Sequence, residues 1–265
     1  MSVAGTGLGA ALRAEWTKAR TLASTAWLLL AAVVLTVAVS AAVAAAVTCP
    51  AGNCAEDPAK ISLTGIYLGQ AVVAILAVLA ISSEYSTGMI RVTLAAMPGR
   101  TTVLAAKAVV LTGLVLAAGA IAVLACVLAG HLILSGHGIN PAHGYPSLSL
   151  GSPPVLRATA GSVIYLALIA LLSLGTATAV RDSATAIGIV LGLLYLFPIV
   201  GAVLGGSHLA RLIQQIGPMT AGLTIQATTG LGHLAIGPWA GLGVLAAWAA
   251  VALLAGGLLL RRRDA

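Results

Sequence analysis

Ile61–Ile81, ISLTGIYLGQAVVAILAVLAI, carries no charge over 21 residues, and one residue later Ser83–Arg100, SEYSTGMIRVTLAAMPGR, turns polar. A helix rises about 1.5 Å per residue, so roughly 20 apolar residues cross the ~30 Å hydrocarbon core of a bilayer. The first stretch therefore reads as a membrane span and the second as its exit into water. Within the exit, Glu84, Gly88 and Arg91 are spaced i, i+4, i+7. Ile90, Leu94 and Met97 repeat that spacing on another face, which predicts a short amphipathic helix. Pro98-Gly99 stops it, and Arg100 follows.

Outward from this point, five more runs have the same character: Ala26–Val47, Ala108–Leu134, Ala158–Val180, Ala184–Leu204 and Gly237–Leu260. Each lacks charged residues. The 265-residue chain is 60% hydrophobic and 7% charged, with a mean hydropathy of +1.10. Soluble domains are about 25% charged, so no soluble fold hides this much apolar surface. The expected fold is an all-α polytopic membrane protein, one domain over residues 1–265, with six transmembrane helices. The net charge of +7 does not imply nucleic acid, because the basic residues are scattered among short connections.

Their distribution orients the chain. Arg13, Lys18, Arg20, Arg91, Arg100, Lys107, Arg181 and Arg261–Arg263 make ten on one side, against Lys60, Arg157 and Arg211 on the other. The positive-inside rule places the ten, and both termini, in the cytoplasm. A cleaved signal peptide fits the first run poorly, since it is 22 residues long and follows a 25-residue leader containing Glu15. In that leader Leu8, Leu12, Trp16 and Ala19 form one stripe, with Arg13, Thr17, Lys18 and Arg20 largely off it. This predicts a helix lying in the membrane interface.

Three connections lie on the far side. Thr48–Lys60 holds Cys49 and Cys54, for which a local disulfide and two free thiols are both open. Cys126, in the third span, reads as a small buried hydrophobe. The second connection, Ser135–Leu156, is rich in Gly, Pro and Ser; His131, His137 and His143 recur six apart without accompanying Cys, Asp or Glu, a weak metal pattern. Gly205–Ile236 is too apolar for a solvated loop. Leu209, Leu212, Ile213 and Ile216 share a face opposite Arg211, Gln214 and Gln215, and Gly217-Pro218 breaks the piece in two. A short re-entrant helical pair before the last span is expected. Pro198 should kink the fifth span. Gly65/Gly69, Gly188/Gly192 and Gly201/Gly205 have helix-packing spacing, but 31 glycines give such pairs by chance.

Catalytic constellations are missing. The sequence has no Gly-x-Ser-x-Gly, no His-Glu-x-x-His, no nucleotide-binding Gly-x-x-x-x-Gly-Lys-Ser/Thr, and six acidic residues in all. None of the six apolar runs holds a carboxylate for a proton or ion relay. If the chain transports, the energy comes from another polypeptide.

Glu84, Tyr85, Gly88, Arg91, Leu94, Pro98 and Arg100 together resemble the segment after the second span of class-two ABC exporter permeases. Glu15, Lys18 and Arg20 are similar to that family's N-terminal interfacial helix. The Val180–Ser183 turn, the apolar Gly205–Ile236 segment with Pro218 and the Arg-Arg-Arg-Asp ending are similar as well. The resemblance implies a bacterial plasma-membrane permease, homodimeric or paired with a related permease, that docks ABC ATP-binding subunits. ATP would sit on those subunits, with no cofactor on this chain. Glu15, Lys18, Glu84, Gly88, Arg91, Pro98 and Arg100 would couple to the ATPase, and Arg211, Gln214, Gln215 and Pro218 would form an outer gate. The cargo would be a small hydrophobic or amphiphilic compound, and an aromatic content of 4% argues against large aromatic drugs or sugars. The alternatives are a non-transporting membrane protein, such as an assembly partner, and a lipid-acting enzyme using the outer histidines.

Overall fold

The computed structural model describes residues 3–47, 57–89, 99–136, 148–205 and 208–262. Ten α-helices occur among these residues: α1 (Val3–Thr21), α2 (Ala23–Ala46), α3 (Pro58–Ser62), α4 (Ile66–Ser86), α5 (Arg100–Gly136), α6 (Pro153–Val180), α7 (Ser183–Val203), α8 (His208–Ile216), α9 (Pro218–Gly222) and α10 (Pro238–Arg262). The described residues contain no strand. Six helices, α2, α4, α5, α6, α7 and α10, are long and apolar enough to cross a membrane. The protein is an all-α polytopic membrane protein.

Two helices form the centre. Some 61% of the most apolar stretch of α6 and 56% of that of α4 is buried inside the protein, against 22–33% for the other four. The surfaces left open on those four carry Val34, Ile121, Leu128, Ile199 and Val251, the apolar exterior a bilayer solvates. α6 packs on α4, α5, α7 and α10, most extensively on α10. That crossing is close because a Cβ on Gly175 would lie 2.5 Å from the Ala252 carbonyl carbon, and one on Gly256 2.6 Å from the Gly175 oxygen. Small residues substitute for the hydrophobic driving force that lipid removes. Of the glycine pairs expected from spacing, Gly65 and Gly69 do seat α4 on α2, against Thr36 and Ser40, whereas Gly188 and Gly192 face open space.

The elements depart from expectation mostly at their ends. The second span is displaced: α3, whose N-cap Asp57 accepts from the backbone of Ala59 and Lys60, is separate, and α4 runs on through Glu84 to Ser86. Gly88 then takes a left-handed conformation with φ +70°. A helix cannot continue through that geometry, so Glu84 and Gly88 do not share the face of one amphipathic helix. The third span starts eight residues before the apolar run, at Arg100, and at about 55 Å it outruns the hydrocarbon core. α6 ends on Arg181 in the left-handed region, φ 66°, and the Asp182 carboxylate caps α7 by accepting from Thr185 N at 2.7 Å. Pro198 lies inside α7, which continues to Val203.

The expected helical pair before the last span is α8 and α9, divided at Gly217. α9 and the 3₁₀ turn that follows it, Leu223–Gln226, are buried against α6 and α10. α8 instead turns Leu209, Leu212 and Ile216 outward.

Candidate functional site

The two ends of the bundle differ in charge. The basic end gathers the C-terminal ends of α4, α6 and α10 with α1 and the start of α5, and contacts made by arginine side chains tie them. Arg100 donates to Leu260 O at 3.0 Å, and the Arg181 guanidinium lies 5.3 Å from the centre of the Tyr85 ring.

At this end sits a four-residue ion cluster. Lys107 Nζ, on α5, donates to Glu15 Oε2 of α1 at 2.6 Å and to Glu84 Oε1 of α4 at 2.8 Å. Lys18 Nζ, on α1, donates to Glu15 Oε1 at 3.1 Å and to the same Glu84 Oε1 at 2.9 Å. Glu15, Glu84 and Lys107 are almost fully buried, and Lys18 keeps 28% side-chain exposure. Two cations and two anions leave the cluster neutral, which is what allows it to persist away from water. Burial opposes the charge on Lys18, but its hydrogen bond to Glu84 and the charges of both carboxylates outweigh that and raise its pKa. Lys18 therefore stays an ammonium throughout the neutral range.

The cluster explains the docking of α1. Its buried face is Ala11, Glu15 and the half-buried Lys18, at i, i+4, i+7, while Leu8 and Trp16 of the apolar stripe point away from the protein. A helix that gives ionic side chains to the bundle and its apolar side to the surroundings has the form expected at a membrane interface. Arg20 stacks at 5.8 Å over Trp16 on that outer side. Of the residues with a suggested coupling role, the structure brings together Glu15, Lys18 and Glu84. Arg100 lies in the adjacent Leu260 contact, and Gly88 terminates the chain's exit from α4. Arg91 and Pro98 lie outside the described residues. Lys107, at the hub, groups by sequence with the other cations of the basic side; its only signal there is its position just ahead of a long apolar run.

Against the cluster lies a cleft of about 520 Å³ between α1, α2, α4 and α5. Glu15, Lys18, Glu84 and Lys107 line one end of it, and leucines of α2, α4 and α5 line the other.

The opposite end is held by different contacts. The Asp57 carboxylate accepts from Thr228 Oγ1 at 2.6 Å and Thr229 N at 3.0 Å, tying α3 to the segment after the 3₁₀ turn. Arg157 donates to Ala227 O. Deeper, Tyr165 on α6 donates to Gln70 Oε1 on α4, and Gln70 Nε2 donates to Tyr67 O at 3.2 Å and Met219 Sδ at 3.1 Å. This polar knot holds α9 to the two central helices. A second cavity, about 390 Å³, opens above it and is lined by Lys60, Tyr67, Pro198, Gln214, Met219 and His233 among others.

The residues suggested for an outer gate divide. Gln214 lines this cavity, Gln215 Nε2 donates to Ala235 O at 2.7 Å, and Pro218 is the buried first residue of α9. Arg211 is on the exposed side of α8, not in the cavity lining. Cys126 is a buried free thiol, whereas Cys49 and Cys54 lie outside the described residues, as do His137 and His143. Among the described residues no three His, Cys, Asp or Glu side chains gather as metal ligands.

No protein-family model and no curated protein matches this sequence.

Proposed function

We propose that the chain is the membrane subunit of a class-two ABC-type exporter in a bacterial plasma membrane, with both termini cytoplasmic. A separate subunit hydrolyses ATP, and two permease chains pair to move a small hydrophobic or amphiphilic compound outward. The observation that carries this reading is the Glu15–Lys18–Glu84–Lys107 cluster. It fastens an amphipathic N-terminal helix to the ends of two spans at the basic end of the bundle.

The mechanics follow from the connections. Among the described side chains of α1 Ala11 is the fully buried apolar one, Leu12, Ala14 and Ala19 are half-buried, and ion pairs tie the helix to α4 and α5. A partner that pushes on α1 or on the 84–100 segment shifts α4 and α5 together through Glu84 and Lys107. α4 is one of the two central helices and carries Gln70, the link to α9 and the far cavity. Displacement at the basic end thereby reaches the opposite end along a stiff helix.

The test is to purify the tagged chain from its own host in mild detergent and identify what accompanies it. The reading expects a P-loop ATPase in stoichiometric amount. A chain that arrives alone, or with non-ATPase partners, removes it.

A further inference from the structure

The cleft beside the ion cluster has the shape and polarity of an amphiphile site. Its volume, about 520 Å³, falls in the roughly 300–1,000 Å³ range of clefts that enclose small organic ligands. Its lining is graded. At one end are the ion cluster and the hydroxyl residues Thr21, Thr25 and Ser83; at the other are Leu28, Leu76, Leu79, Val110, Leu111 and Leu114. From Glu84 to Leu76 on α4 the cleft extends about 12 Å, and from Lys107 to Leu114 on α5 about 10 Å. A polar head with an alkyl tail fits that gradient, whereas a uniformly polar or uniformly apolar molecule leaves one end unmatched.

The charge of the head follows from exposure. Both carboxylates and Lys107 are 5–7% exposed at the side chain, and the carboxylates bond to the lysines of the cluster, the buried Glu84 Oε2 alone having no partner, while Lys18 is 28% exposed. Lys18 gives two of its three N–H donors to Glu15 and Glu84, which leaves one for a further acceptor. An incoming head therefore meets an ammonium first, and a cationic head would be repelled by it. We propose that this cleft binds an amphiphile with an anionic head on Lys18 and an alkyl tail between α2, α4 and α5. Because Lys18 also holds α1 through the cluster, occupancy bears directly on the element that the exporter reading assigns to the ATPase contact. The binding itself requires no partner, so the site and the exporter reading fail separately.

The experiment uses the full chain in nanodiscs of zwitterionic lipid. One arm adds a fatty acid with a mid-chain diazirine, a second its uncharged methyl ester, and a third phosphatidylglycerol bearing the same acyl chain. After photolysis, labelled residues are mapped by mass spectrometry. The expected result is acid-probe labelling within residues 76–80 and 110–114, above that at the lipid-facing Ile199 and Val251. Labelling with the ester, or of Lys18→Gln with the acid, should be about tenfold weaker. Leu79→Trp and Val110→Trp, which fill the cleft from opposite walls, should each abolish cleft labelling and spare Ile199 and Val251. Two filling variants guard against one that fails to fold. Cleft labelling by the fatty acid alone supports a free amphiphile, and by phosphatidylglycerol alone a resident lipid. Cleft labelling no greater than at Ile199 and Val251, or unchanged by both tryptophans, overturns the site. Equal labelling by acid and ester overturns the anionic head.

Discussion

Replacing Lys107 by methionine keeps an unbranched side chain as far as Cε and removes the charged Nζ. In the folded protein Lys107 donates to Glu15 at 2.6 Å and to Glu84 at 2.8 Å, and it is 4% exposed. Its loss leaves two buried carboxylates facing the single ammonium of Lys18, so a neutral cluster becomes singly negative. Breaking a buried ionic set by removing one partner costs about 3–5 kcal/mol, because the surviving charge is desolvated without compensation. For a chain of this size that corresponds to a fall in thermal midpoint of roughly 6–20 °C, using the scaling for soluble domains. The penalty comes from charge imbalance, so Glu84→Gln added to Lys107→Met should recover a large part of it, with a coupling of about 1–3 kcal/mol. The assay is thermal unfolding in detergent followed by the fluorescence of the four tryptophans. Limited proteolysis at Arg20 would report release of α1. If Lys107→Met melts with the wild type, or if Glu84→Gln deepens the loss, the cluster does not hold α1 to the bundle.

Other expectations follow from separate contacts. Gly175→Leu places side-chain atoms inside the α6–α10 crossing, where even a Cβ would be 2.5 Å from backbone, and should abolish the monodisperse peak in size-exclusion chromatography; Gly188→Leu, in open space, should stay within about 0.5 kcal/mol of wild type. Tyr165→Phe leaves Gln70 Oε1 without its donor in a fully buried site and should cost about 1–3 kcal/mol in thermal unfolding, a loss that Gln70→Leu added to it should reduce. The backbone hydrogen bond from Thr185 lowers the pKa of Asp182 below its ordinary 3.8, so the cap's contribution is present above that pH and is lost as pH falls through the folded value. Stability measured from pH 6 downward should accordingly fall less steeply below about pH 4 in Asp182→Asn than in wild type.

The six spans were legible because a membrane imposes length and hydropathy on each segment locally, and local properties survive in sequence. Their ends were less so. A charge normally marks the edge of a span, and by that rule Lys107 belongs to a loop. It lies inside α5 because Glu15 and Glu84, 92 and 23 residues away, neutralise it, and no periodicity records such distant partners. The same limitation hid the buried face of α1: Leu8–Trp16 is the stronger apolar stripe, yet Glu15 and Lys18 face the protein. Gly88 matched a helical face by spacing, but its positive φ makes it the terminator of that helix. Gly175 and Gly256, which seat the α6–α10 crossing, are 81 positions apart and share no motif. Glu15, Lys18 and Glu84 were legible as a group only through the motif resemblance, and the contacts that unite them are tertiary.

In the proposed exporter the ion cluster passes motion between the membrane helices and a partner that hydrolyses ATP. The most direct measurement is the ATP hydrolysis rate of the reconstituted complex in proteoliposomes, comparing wild type with Glu84→Gln and with Lys107→Met/Glu84→Gln, each first shown to be folded and to retain the partner. The account predicts that both variants bind the ATPase and lose their influence on its rate, leaving hydrolysis at the level of the isolated subunit. Wild-type rates from both variants in intact complexes would contradict it.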